Sequence, residues 1–187
     1  MSLKEVDWSK LPVPEDDGTA SRIEGADMPA LALDATNGGQ VDLSRLSGTS
    51  VVYAYPKTGQ PGTPLPDGWD MIPGARGCTP QSCAFRDHYK ELSALGASHI
   101  FGLSTQSTAY QSEAVDRLHL PFPLLSDAGL ELTTALNLPT FEVEGQTLLK
   151  RLTLIVRDSV VIKVFYPVFP PDRNAADVMA WLKDNQS

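Results

Sequence analysis

Two cysteines occur in the chain, Cys78 and Cys83, both inside the segment PGARGCTPQSCAFRD at residues 73–87. Thiols five positions apart admit a metal pair, a structural crosslink, a redox couple or a coincidence. Cys78 follows a Gly-bearing loop and precedes Thr79-Pro80, a helix-start signal because proline is tolerated where the amide needs no partner. The spacing therefore puts Cys78 in or just before a first helical turn. Unpaired amides and the positive end of the helix dipole favour a thiolate there, and the thiolate is the nucleophilic form of the sulfur. Cys83 then lies about 140° round the helix and ~7.5 Å further along its axis. A disulfide needs Cα atoms within about 7 Å and facing side chains, so this pair bridges only if the first turn unwinds. Such a separation is poor for a static staple and suits a switch, in which one thiol reacts and the other arrives after local unfolding. Zinc fits less well, because structural sites want four ligands and no second cysteine pair exists. His88, His99 and His119 are read as surface or packing residues.

The elements that must position these sulfurs follow from periodicity. Residues 1–26 are polar, Pro-bearing and aperiodic, and read as an arm that lies on the surface or stays mobile and carries no chemistry. Residues 27–187 read as a single domain. Leu31, Leu33, Val41 and Leu43 alternate around Asn37-Gly38-Gly39 and predict a hairpin. SVVYAYP at 50–56 is a continuous apolar run of the kind buried on both faces of an α/β sheet, HIFGLST at 99–105 resembles it, and PFPLLSD at 121–127 is shorter. LTLIVRDSVVIKVFYP at 152–167 predicts a second hairpin turning at Arg157-Asp158-Ser159. Helical spacing of Phe85, Tyr89, Leu92 and Leu95 runs through QSCAFRDHYKELSALG and stops at Gly96. Three further helical stretches begin at STAYQ, DAGLE and RNAAD. The alternation predicts an α/β fold: a central mixed sheet, parallel in the middle and antiparallel at one end, with helices on both faces. Between Pro56 and Pro73 a loop crowded with Pro and Gly, residues 57–72, stands directly before the cysteines, and long loops in compact domains are often functional.

Composition narrows the classes of function. The 187 residues, 42% of them hydrophobic, suffice for one domain with a proper core. Asp and Glu outnumber Lys and Arg by 23 to 15 and the net charge is −8, which argues against binding nucleic acid. No apolar run approaches the ~18 to 20 residues that span a bilayer, and the N-terminus has no basic start leading into an apolar stretch, so a cytoplasmic protein without membrane contacts is expected. No Gly-x-Gly-x-x-Gly follows a strand and no Cys-x-x-Cys-His occurs, so the chemistry is expected to need no bound cofactor.

Taken in order, VVYAYPKT, GCTPQSCAFRD, FGLSTQS, LPFPLLSDAGLEL and RLTLIVRDSVVIKVF resemble the peroxiredoxins of the bacterioferritin-comigratory or Q type, from about residue 24 to the C-terminus. The resemblance implies a thioredoxin-like fold with an N-terminal β-hairpin extension. It also implies that Cys78 attacks the O–O bond of a hydroperoxide and becomes a sulfenic acid, and that Cys83 condenses with it to an intramolecular disulfide. A thioredoxin- or glutaredoxin-like dithiol would then reduce that disulfide. Arg151 matches the family arginine that stabilises the thiolate and orients the peroxide, and Thr58 and the backbone at Gly77 and Cys78 are the other groups the likeness places around it. Subunit state is left as monomer or homodimer.

Two departures matter. The family pattern puts Thr or Ser three residues before the reactive cysteine, and here that residue is Ala75, with the 57–72 segment inserted upstream. Thr58 ahead of the insert, Thr79, or a backbone group are the candidates to replace the hydroxyl. The family Glu after Cys-Thr is Gln81 here. The alternative is a thiol-disulfide reductase or redox sensor on the same fold, against which the lack of a Cys-x-x-Cys counts.

Overall fold

The computed structural model describes residues 5–186; residues 1–4 of the predicted arm, and Ser187, lie outside the described part. Its centre is a seven-stranded sheet in the order β2-β1-β5-β4-β3-β8-β9. Strand β3 (Thr49–Ala54) is buried at every position, and its alternation decides the two faces. Val52 and Ala54 join an apolar cluster on one side, while Val51 and Tyr53 join another on the opposite side. β3 pairs in parallel with β4 (Ala97–Ser104), which pairs in parallel with β5 (Leu124–Ser126). On its other edge β3 meets β8 (Leu152–Arg157) antiparallel, and β8 turns back into β9 (Val160–Phe165). That turn falls at Asp158-Ser159, both at positive φ, the geometry a two-residue hairpin turn demands. The predicted first hairpin forms as β1 (Leu33–Ala35) against β2 (Gln40–Val41), and β1 docks antiparallel on β5.

One face carries α2 (Cys78–Asp87), α3 (Tyr89–Ala94), α4 (Thr108–Leu118) and α6 (Asn174–Asp184), whose apolar residues Phe85, Leu92, Ala114 and Val178 pack with Val51, Tyr53 and Ile100. The other face carries α1 (Ala20–Ile23) and α5 (Glu131–Leu136) over Val52, Leu103 and Leu154. Ser107 accepts the Tyr110 amide at the start of α4, and Asp127 accepts the amides of Leu132 and Thr133 across the turn into α5.

Three features differ from the sequence reading. The helix predicted over 81–96 is two helices: His88, at φ −99° and ψ 11°, breaks it between α2 and α3. A separate two-stranded hairpin, β6 (Thr140–Val143) with β7 (Gln146–Leu149), was not anticipated; it turns at Glu144-Gly145, both at positive φ. The arm is not featureless. A 3-10 turn forms at Trp8–Lys10, capped by the Asp7 carboxylate, and Ile23 is a core residue with 1% of its surface exposed.

Candidate active site

The carboxyl end of β3 delivers the chain into the 57–72 segment, which returns at Gly74-Ala75-Arg76-Gly77 to start α2 at Cys78. Gly77 sits at φ 114°, in the region that side-chain-bearing residues avoid. Its space is also taken. A Cβ there would lie 2.7 Å from Pro171 Cγ and 2.8 Å from Trp8 Cη2. Position 77 therefore takes a glycine on two counts, and this fixes how Cys78 enters the helix.

Cys78 is 3% exposed and its thiol faces the Ala75 carbonyl at 3.7 Å. Arg151, immediately before β8, brings Nη2 to 3.2 Å from the Cys78 sulfur. The same nitrogen lies 3.1–3.4 Å from the carbonyls of Gly74, Ala75 and Arg76, and Nη1 donates to Gln81 Oε1. The guanidinium thus ties the loop before the helix, the first turn and the sulfur into one unit, which a planar five-donor fork can do and an ammonium cannot. Gln81 passes the arrangement on: its Nε2 donates to Asn174 Oδ1 at 3.0 Å, which also accepts from the Thr153 hydroxyl at 2.6 Å. Gln81, Asn174 and Thr153 are all buried.

Cys83 sits further along α2, 6% exposed, and both cysteines are free thiols within the same apolar cluster. Burial pushes the Cys83 thiol up from its ordinary value, Arg86 pulls it down, Asp87 pushes it up and Arg117 again lowers it. A cavity of about 230 Å³ opens over Cys78 and the first turn of α2; Lys57, Gly59, Leu65 and Trp69 of the inserted segment wall one side, and Val6 of the arm contributes to the rim. A larger cavity of about 420 Å³ between the arm and β6 reaches Arg151 but holds neither sulfur. Of the two, the smaller one is lined by Cys78.

Comparison with known proteins agrees with this geometry. The model of the redoxin family matches residues 23–179. The chain belongs to the redoxin family, as a peroxiredoxin of the Q type. It is 31% identical over 166 residues to peroxiredoxin Q, chloroplastic, of Sedum lineare, covering 88% of this chain and 80% of that protein. With the Suaeda salsa peroxiredoxin Q, chloroplastic, identity is 29% over 161 residues, and the chain spans 67% of that protein's length. Among solved structures, peroxidoxin BcpB from Mycobacterium tuberculosis superposes with a TM-score of 0.70 at 26% identity, covering 88% of this chain and 98% of that one.

Peroxiredoxins are thiol-dependent peroxidases, and the two sulfurs that an intramolecular disulfide route uses are both present on one helix. The structure brings Cys78, Gly77 and Arg151 together directly. Cys83 is on the same helix but not bonded to Cys78. Thr58 is flanked by Lys57 and Gly59, two residues of the cavity wall. Its amide donates to Gln106 Oε1 and its carbonyl accepts from Tyr110, yet its buried hydroxyl oxygen has no partner among the described residues. Thr79 lines the same cavity. Sequence reasoning missed Asn174, which holds Gln81, and Thr153, which bonds to Asn174. They lie about 93 and 72 positions from Gln81 along the chain and carry no local motif, so only the fold reveals them. It also missed the arm residues Val6 and Trp8, for which the tryptophan in an otherwise polar stretch was the one available signal.

Proposed function

We propose that Cys78 is the peroxidatic nucleophile and Cys83 the resolving thiol of the same chain. The observation that carries this reading is the Arg151 guanidinium at 3.2 Å from the Cys78 sulfur, a fixed positive charge against the atom that must become anionic. In the first step the Cys78 thiolate attacks one oxygen of a hydroperoxide. The O–O bond breaks, the leaving oxygen takes up a proton and departs as water or an alcohol, and the sulfur is left as sulfenic acid. Positive charge and amides at the helix start stabilise the charge that develops on the departing oxygen. In the second step the deprotonated Cys83 sulfur attacks the Cys78 sulfur, the S–O bond breaks, and hydroxide leaves and is protonated to water. A thioredoxin- or glutaredoxin-like dithiol then reduces the disulfide by two thiol exchanges and is itself oxidised.

The second step requires motion. Both thiols belong to one regular helix, and sulfurs placed ~7.5 Å apart along its axis do not meet until the first turn opens. Opening breaks the hydrogen bond from the Gln81 backbone N–H to the Gly77 carbonyl and the side-chain hydrogen bonds of Gln81 with Arg151 and Asn174.

The test is rapid mixing of the reduced protein with hydrogen peroxide, beside Cys78→Ser and Cys83→Ser, with products identified by intact mass. A fast reaction abolished in Cys78→Ser, and a product lacking two hydrogens that Cys83→Ser does not form, are the expected results. A reaction indifferent to Cys78 overturns the assignment of the nucleophile. A covalent dimer as the main product on a non-reducing gel overturns resolution within one chain.

A further inference from the structure

The match to the redoxin family begins at residue 23, yet Val6, Trp8 and Pro14 ahead of it lie against the turn that carries Cys78. Val6 lines the cavity over Cys78. The Trp8 ring is packed so closely on Gly77 that a Cβ there would stand 2.8 Å from Cη2, and Pro14 is similarly placed at Gly74, with a hypothetical Cβ 3.3 Å from its own Cβ. The arm therefore touches both ends of the short loop whose three carbonyls face Arg151. Trp8 is itself fixed: Nε1 donates to Asp172 Oδ2 at 3.0 Å, and its ring meets Phe169 edge-on at 6.2 Å between centroids. Pro171 closes on Gly77 from the same side as this cluster, at 2.7 Å from the hypothetical Cβ.

We infer that Trp8 is a positioning residue for the peroxidatic turn: it acts through Gly77 to hold Cys78 in the folded, peroxide-reactive helix and thereby sets how readily that turn opens towards Cys83. This rests on the roles proposed above for the two cysteines. The physical argument is one of differential contact. In the folded helix Gly77 packs against Trp8 and Pro171 together; when the first turn opens, Gly77 leaves and that contact is lost. An interaction present in one state and absent in the other shifts the balance by its full strength. Trp8 thus favours the first chemical step, which needs Cys78 beside Arg151, and opposes the second.

The experiment separates those steps. Reduced wild type, Trp8→Ala and Trp8→Phe, each as the full chain, are mixed with hydrogen peroxide, quenched at intervals and weighed intact. This yields the bimolecular rate of sulfenic acid formation and the unimolecular rate of disulfide closure. In Trp8→Ala the first is expected to fall and the second to rise, the ratio of closure to oxidation growing by about fivefold in all, the scale of one lost aromatic contact. With excess peroxide, less sulfinic acid should accumulate, because the sulfenic acid is resolved sooner. Trp8→Phe, whose smaller ring has neither the outer edge that meets Gly77 nor the Nε1 donor to Asp172, should shift the two rates in the same directions but less far. A residue with a merely structural role would not move the two rates in opposite directions. If Trp8→Ala leaves both unchanged, or lowers both together, the inference is wrong. If instead the wild-type reaction does not depend on Cys78, the reading of the site fails and not the role of the arm alone.

Discussion

Ala75 stands where the family resemblance expects a hydroxyl, and its surroundings account for the loss. It is fully buried in a small cluster with Trp69 and Leu148, so the inserted segment has filled that place with apolar contacts, and a larger, polar side chain would be both crowded and unpaired. Thr79 and Thr58 are the hydroxyls left nearby, and that of Thr58 is buried without a partner among the described residues. Replacing Thr58 by valine removes a buried oxygen that has no partner among the described residues, so stability should hold or rise by up to about 1 kcal/mol. Peroxide oxidation of Cys78 should nevertheless slow by about tenfold if that oxygen binds the substrate; an unchanged rate in rapid mixing, with stability raised, would show the hydroxyl to be idle. Arg151 invites a sharper substitution. Arg151→Lys keeps the charge but cannot span the sulfur, Gln81 and the loop carbonyls together. It should slow oxidation by about a hundredfold and cost ~2 kcal/mol in urea unfolding through the acceptors left unpaired. Equal rates for the two proteins would remove Arg151 from the chemistry. Both cysteines and Arg151 could be picked out in the sequence because the thiols, the helix start and the arginine that the fold brings to Cys78 sit in recognisable strings. Asn174 could not, because its part is given by the fold bringing the start of α6 beside α2.

Legibility at the level of elements followed burial. The strands β3, β4, β8 and β9 and the helices α4 and α6 were readable because each buries enough apolar surface to impose its period. The β6–β7 hairpin was missed because its first strand is only partly buried, with no fully buried position, so its pattern is faint beside the core strands. The break at His88 was invisible for a different reason: Phe85 and Leu92 stay on one buried face across it, so the helical period runs on undisturbed. The start of α2 was read correctly from Thr79-Pro80, but why it starts there depends on Gly77. Gly77→Ala would place a methyl against Pro171 and Trp8 at a φ that alanine tolerates poorly. Strained backbone of this kind costs of order 1–3 kcal/mol, and the clash adds to it. A loss of about 3 kcal/mol in chemical denaturation is expected, together with slowed oxidation of Cys78 as the turn is displaced. Alanine accepted without loss would mean that the loop relaxes freely and does not set the sulfur's position.

For the whole molecule, the same sheet that buries an apolar cluster on each face also buries groups that can ionise. Cys83 is held in its neutral form first by burial, and Tyr53 and Tyr55, both fully buried, are pushed up for the same cause. Their effect on stability has a definite sign. Each releases its proton more readily unfolded than folded, so above the unfolded value the native state binds more protons and stability falls as pH rises. The contribution of Cys83 is complete below the ordinary thiol value of about 8.5 and is lost as pH climbs through the raised value; that of the tyrosines declines from about pH 10 upward. To isolate Cys83, urea unfolding of Cys78→Ser is compared with Cys78→Ser/Cys83→Ser under reducing conditions across this range. The single variant should lose stability first, from just above the ordinary thiol value, while the double variant holds its midpoint until the tyrosines begin to titrate. Parallel curves would mean that Cys83 meets water in the native state, and resolution would then need less of α2 to open than its burial implies. A divergence of the predicted sign would tie the two halves of the mechanism together. The burial that keeps Cys83 protonated in the folded helix would then have to be relieved as the first turn opens and Cys78 reaches it, so the proposed resolving thiol would gain reactivity only when its target comes within reach.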